Sequence, residues 1–161
     1  KTLINSKTIH PSITKAFIFG CLTGLGEKDL KELEWLDFEF IHGFYYINLN
    51  RNSKFYKLKV SQIAMDFIGN PLKVRGKVFF KLRSTYYTNL KLREWLVSSN
   101  IFKKLTFKSC KYTFAANYLS KSEGYLELAH NYKPSLSELS KVLNHKDEYY
   151  TQKFITRIDL K

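Results

Sequence analysis

The residues best placed to do chemistry lie near the end of a 161-residue chain. Leu139-Ser140-Lys141-Val142-Leu143-Asn144-His145 has the pattern of a short amphipathic helix closed at Asn144-His145. An acidic turn follows through Asp147 and Glu148, and a second helix begins at or near Thr151. That layout sets an imidazole at the end of one helix and the ring of Phe154 nine positions later, early in the next. An imidazole can hold a proton or meet an anion near neutral pH. Around it the chain offers cations: Lys108 and Lys111, three apart and therefore on one helical face, and Arg51 or Lys54 at a hairpin tip. Singly, each is an ordinary solvated surface charge. Converging, they would make an anion-binding cluster.

Other chemistries find no support in the spacing. The four histidines (His10, His42, His130, His145) and two cysteines form no CxxC or HxxxH pair, so no metal and no cofactor is expected. Phosphate-cradling glycine loops and a GxSxG elbow are missing. Carboxylate pairs such as Glu32 and Glu34 sit in charged helical or turn contexts and are expected to be solvated.

The elements that must position the cluster follow from periodicity. From Pro11 to Cys21 an almost unbroken apolar pattern predicts a buried helix, broken by Thr23-Gly24-Leu25-Gly26. A short helix at Glu27–Leu33 follows, with acids in its first turn where the helix dipole favours them. The period then changes. Strands are predicted at Trp35–Ile41, Phe44–Leu49 and Lys54–Val60, joined by turns at His42-Gly43 and Arg51-Asn52-Ser53. Ser61 starts a helix through Ile68, and a longer one is predicted over Tyr86–Val97 with Leu90, Trp95 and Leu96 inward. Thr106 is expected to cap the helix that carries Phe107, Cys110, Phe114, Ala115 and Tyr118 on one side. Residues 121–134 look like a polar loop, and Ser135-Leu136-Ser137-Glu138 is a capping box. The expected class is mainly α with one small antiparallel β-sheet (α+β).

Charge narrows the partner. Hydrophobic residues at 44% and charged residues at 25% are ordinary for a globular domain. Twenty-seven Lys and Arg against 14 Asp and Glu leave +13, with a pI near 9.7. Self-repulsion of that size weakens a compact domain unless a polyanion relieves it, and nucleic acid is the commonest such partner. Anionic membrane and no specific partner are the alternatives. No apolar run approaches the length of a membrane span. Cys21 and Cys110 sit inside apolar helical patterns, which favours reduced thiols and a cytoplasmic location, with one disulfide as the alternative.

Taken together, three segments resemble the catalytic domain of the tyrosine recombinases, the phage-integrase family. The stretch from Ala16 through Thr23-Gly24-Leu25-Gly26-Glu27-Lys28-Asp29-Leu30 is similar to the family's first box, a buried helix running into T-G-L-R-x-x-[DE]-L. Thr106-Phe107-Lys108-Ser109-Cys110-Lys111-Tyr112-Thr113-Phe114-Ala115 resembles the second, H-x-x-R-H-T-F-A. Leu143-Asn144-His145-Lys146-Asp147 with Thr151-Gln152-Lys153-Phe154 resembles L-G-H-x-[DS] with T-x-x-Y at the family's spacing. The resemblance implies a recombinase catalytic domain over residues 10–161, with residues 1–9 as a linker from an N-terminal core-binding domain.

The departures carry equal weight. In the family two arginines clamp the scissile phosphate, a lysine on the sheet is general acid, and a tyrosine attacks to form a 3′-phosphotyrosyl link. Here the first arginine's position is Gly26, the second's is Lys111, and the second box opens on Lys108. His145 is retained, the sheet lysine corresponds to Arg51 or Lys54, and the nucleophile's position is Phe154. Phenylalanine has no oxygen with which to form the covalent intermediate. Losing one donor that stabilises the transition state costs on the order of 10³-fold in rate. Three readings follow. The first is an inactive recombinase-like domain that binds double-stranded DNA through Arg51, Lys54, Lys108, Lys111 and His145. It would serve DNA recombination or integration of a mobile element as a homo-oligomer or beside an intact recombinase, with no membrane role. The second is an active recombinase using Tyr149 or Tyr150 as nucleophile. The third is a protein-interaction module or eroded remnant.

Overall fold

The computed structural model describes residues 10–51, 54–69, 75–80, 82–119 and 135–159. In chain order it contains α1 (Pro11–Thr23), α2 (Glu27–Glu32), a 3₁₀ turn (Trp35–Asp37), β1 (Phe38–Ile41), β2 (Phe44–Arg51) and β3 (Lys54–Val60). The helices α3 (Gln62–Ile68), α4 (Thr85–Ser98), α5 (Ser109–Leu119), α6 (Leu136–Leu143) and α7 (Glu148–Asp159) follow. The architecture is mainly helical with one three-stranded antiparallel sheet in the order β1-β2-β3, an α+β arrangement. The predicted linker at residues 1–9 and loop at 121–134 fall outside the described residues.

The apolar run after Pro11 becomes the central helix. α1 buries Ile13, Ala16, Phe17, Ile18, Phe19 and Gly20 and packs against α3, α4 and α5. Gly20 permits the close approach to α5, since a Cβ there would lie 2.9 Å from the Cys110 sulfur. Phe17 meets Trp95 and Phe107 edge-on, at centroid distances of 6.3 and 5.7 Å. Burying rings of this size contributes about 2–3 kcal/mol each, so these contacts anchor α1, α4 and the turn that leads into α5 as one body. Cys21 and Cys110 are unbridged. Burial pushes the Cys21 thiol up to about 12 and the Cys110 thiol higher still, which leaves both inert.

A smaller cluster lies beyond the main core. Ala115, Leu139, Leu143 and Phe154 are buried together, with Tyr112, Phe114, Tyr118 and Ile155 around them. This second cluster joins α5, α6 and α7.

Several sequence-based expectations need correction. The strand predicted over Trp35–Ile41 begins only at Phe38. Asp37 accepts a 2.8 Å hydrogen bond from the Glu34 N–H and closes a turn first. β2 runs two residues beyond Leu49, to Arg51. In α4 the inward residues are Thr88, Leu92, Trp95 and Leu96, while Leu90 is 39% exposed. A stripe of i, i+4, i+7 and i+8 leaves position 90 on the far side. Thr106 does not cap α5, which starts at Ser109. There the Ser109 hydroxyl accepts from the Thr106 N–H at 3.2 Å, a turn that places Lys108 ahead of the helix. α7 begins at Glu148 rather than Thr151, because Asp147 accepts from the Tyr150 N–H at 3.1 Å and ends the turn early. The expected caps at Ser61 and Ser135 are in place, accepting from the N–H groups of Ala64 and Glu138 at 3.3 and 3.2 Å.

Candidate anion-binding site

The site forms where the start of α2, the turn before α5 and the end of α6 come together, with α7 laid across them. Each approach is set by local turn chemistry. Thr23 donates its hydroxyl to the Phe19 carbonyl at 2.7 Å and accepts from the Leu25 N–H at 3.4 Å. Gly24 then turns the chain with φ +76°, and a Cβ there would fall 2.7 Å from the Phe114 ring and 2.9 Å from Val142. Only glycine satisfies both demands. The turn delivers Gly26 to the start of α2, where its N–H donates to Asp29 at 3.3 Å.

At the other edge Asn144 adopts the left-handed conformation (φ 54°) that ends α6, and the His145 N–H returns to the Ser140 carbonyl at 3.0 Å. The His145 ring is fixed by Thr151, whose buried hydroxyl lies 2.9 Å from Nδ1. That hydroxyl donates to the Asp147 carbonyl at 3.4 Å, so hydrogen-bond matching makes Nδ1–H the donor to Thr151 and Nε2 the acceptor nitrogen. Phe154 is 7% exposed. Its ring stacks on Tyr112 at 4.2 Å and 12° and meets His145 edge-on at 5.1 Å.

Lys111 is the hub. Its stem lies over Gly26 so closely that a Cβ at that glycine would sit 2.8 Å from Lys111 Cε. Its ammonium donates to the Leu143 carbonyl at 2.5 Å. Burial, foremost, then Arg51 and Lys108, press the Lys111 pKa below the ordinary lysine range, against an opposing pull from Asp29. His145 is likewise lowered, first by burial and then by Lys111 and Lys108. Lys111 and His145 therefore both feel the charge of Lys108, and His145 that of Lys111. Lys108 is exposed, whereas the other two are half-buried.

Arg51 is placed differently from the expectation of a phosphate contact at a hairpin tip. It is 6% exposed. Nε and Nη2 donate to the two Asp29 oxygens at 3.0 and 2.8 Å, and Nη1 donates to the Lys141 and Val142 carbonyls at 3.0 and 3.2 Å. The cause is strand parity: as part of β2, Arg51 shares the inward face with Ile47 and Leu49. Asp29 and the carbonyls ending α6 neutralise it there. Lys54 begins β3 opposite Arg51, and its side chain lies outside the described residues.

The arrangement thus brings Gly26, Lys108, Lys111, His145 and Phe154 together, with Arg51 directly behind them. Two further participants are Asp29 and the Leu143 carbonyl. Asp29 is signalled in the sequence only as the acidic position of the first box; a main-chain acceptor carries no residue-type signal. Chemically the cluster can hold an anion. It has no nucleophile at position 154. Among the described residues no group of three or more His, Cys, Asp or Glu is placed to hold a metal, and no helix is long and apolar enough to cross a membrane. No family model matches the chain, and neither a curated protein nor a solved structure matches it.

Proposed function

We propose that the chain is a tyrosine-recombinase-like domain that binds double-stranded DNA without cutting it. The observation that carries this reading is the gathering of Lys108, Lys111 and His145 around a packed Phe154. Lys108 lowers the proton affinity of Lys111 and of His145, and Lys111 lowers that of His145; a phosphate that enters offsets this repulsion. Lys108 supplies the exposed charge, Lys111 a second ammonium behind it, and His145 a ring held by Thr151 whose Nε2 donates to the phosphate once the anion's charge favours its protonation. Contacts of this kind position a protein on the DNA backbone and carry no sequence information.

Strand cleavage fails at three points in this reading. Phe154 offers no oxygen, Gly26 no guanidinium, and Lys111 a point charge in place of a planar two-donor fork. Arg51 belongs to the scaffold, holding Asp29 and the end of α6. The role that fits is an accessory one in DNA recombination or integration, as an oligomer or beside an intact recombinase.

Incubation with a nicked suicide duplex, read on denaturing gels, tests the reading. It expects a mobility shift under native conditions at low salt and no covalent adduct, for the native chain and for Phe154→Tyr alike. An adduct abolished by Tyr150→Phe would overturn it in favour of a relocated nucleophile.

A further inference from the structure

The outer face of the sheet presents a second surface, remote in chemistry from the cation cluster. Pairing fixes which residues share it. Glu39 lies opposite Tyr46, and Tyr46 opposite Lys59; Asn48 faces Lys57, and Asn50 faces Phe55. The other face carries Ile47, Leu49, Arg51 and Val60, all buried. The outward set is therefore aromatic rings, amides and ammoniums in alternation. Phe55 is 84% exposed, the most exposed of the large hydrophobic side chains among the described residues. Lys59 holds its ammonium 3.3 Å from the Phe44 ring centroid, and Lys57 lies 5.8 Å from that of Tyr46.

We infer that this face binds single-stranded nucleic acid, with Phe55 and Tyr46 as stacking platforms and Lys57 and Lys59 beside them for the phosphates. An apolar protein partner would have to desolvate two ammoniums and two amides. Duplex DNA keeps its base faces stacked and offers none to Phe55. A single strand offers both π-faces and phosphates, the combination that open aromatic-and-basic surfaces recognise. The chain's +13 charge supplies long-range attraction. From Phe44 to Asn50 the platform runs about 20 Å at the strand rise, enough for a short oligonucleotide.

One carboxylate opposes this use. Glu39 pairs with Lys57 at 2.7 Å and holds part of the face's positive charge. Its removal should therefore strengthen binding, an effect opposite in sign to the loss of Phe55.

Fluorescence anisotropy with labelled oligo(dT) and oligo(U) tests the inference, with a duplex of mixed sequence alongside. Phe55→Ala should weaken oligo(dT) binding about fivefold or more and leave duplex affinity unchanged, while Phe55→Trp retains single-strand binding. Glu39→Gln should tighten oligo(dT) binding by about twofold. Phe55-dependent binding of either sugar supports the inference, and the stronger probe names the nucleic acid. Absence of oligonucleotide binding, an unchanged affinity in Phe55→Ala, or equal losses for oligo(dT) and duplex would overturn it. Its independence from the duplex reading is measurable: Phe55-dependent oligo(dT) binding without any duplex binding would leave this inference standing and remove the other.

Discussion

At the scale of single residues, the site is a set of mutual accommodations. Gly26 and Lys111 are a pair, since the space a side chain at position 26 would need is filled by the Lys111 stem. Gly26→Ala should therefore show a coupling of about 0.5–1 kcal/mol with Lys111→Ala in a double-mutant cycle by urea denaturation. The value sits at the low end because Cε is the movable end of a flexible chain. Additive effects would mean that the two positions do not share the space. His145 yields a pH-dependent expectation. Its folded pKa lies below 6.5, chiefly through burial, so between that folded value and 6.5 the unfolded chain binds more protons. Stability is then lowest below the folded pKa and rises with pH across that window. His145→Asn should flatten the rise, as followed by denaturation at a series of pH values; an unchanged slope would place the titration elsewhere.

At the scale of elements, Arg51 acts as a latch between β2, α2 and α6. It ties Asp29 in the first turn of α2 to the last carbonyls of α6, and so holds Gly26 and His145 at their separation. Arg51→Met should cost about 3 kcal/mol in chemical denaturation, because it leaves the Asp29 carboxylate, 13% exposed, without its cation. Adding Asp29→Asn should recover part of that loss, since no half-buried carboxylate then stands without its cation. A loss under about 1 kcal/mol would show the latch to be solvated. Only part of this latch is legible in the sequence. The break at Thr23-Gly24-Leu25-Gly26 and the stop at Asn144 are legible because glycine and asparagine tolerate left-handed backbone that other residues avoid. The inward turn of Arg51 is not. A strand ending at Leu49 leaves the arginine in a turn and exposed; two further residues of pairing put it on the same face as Leu49, in the core. Likewise Lys108 and Lys111 look equivalent by spacing. A turn closed by one serine hydroxyl separates them into an exposed cation and a half-buried one.

At the scale of the whole molecule, a helical body built on α1 carries two surfaces of different chemistry. One is the cation cluster at the meeting of α2, α5, α6 and α7, and the other is the aromatic and amide face of the sheet. The excess of 27 basic over 14 acidic side chains favours a polyanionic partner in general without fixing where on the surface it would sit. A salt titration of duplex binding by the native chain and by Lys108→Gln shows whether the polyanion sits at the cation cluster. The expected result is a linear fall of log affinity with log salt, with the slope for Lys108→Gln shallower by about one. An affinity that is flat with salt, or a slope unaltered by Lys108→Gln, would place duplex DNA away from this cluster or exclude it as the partner.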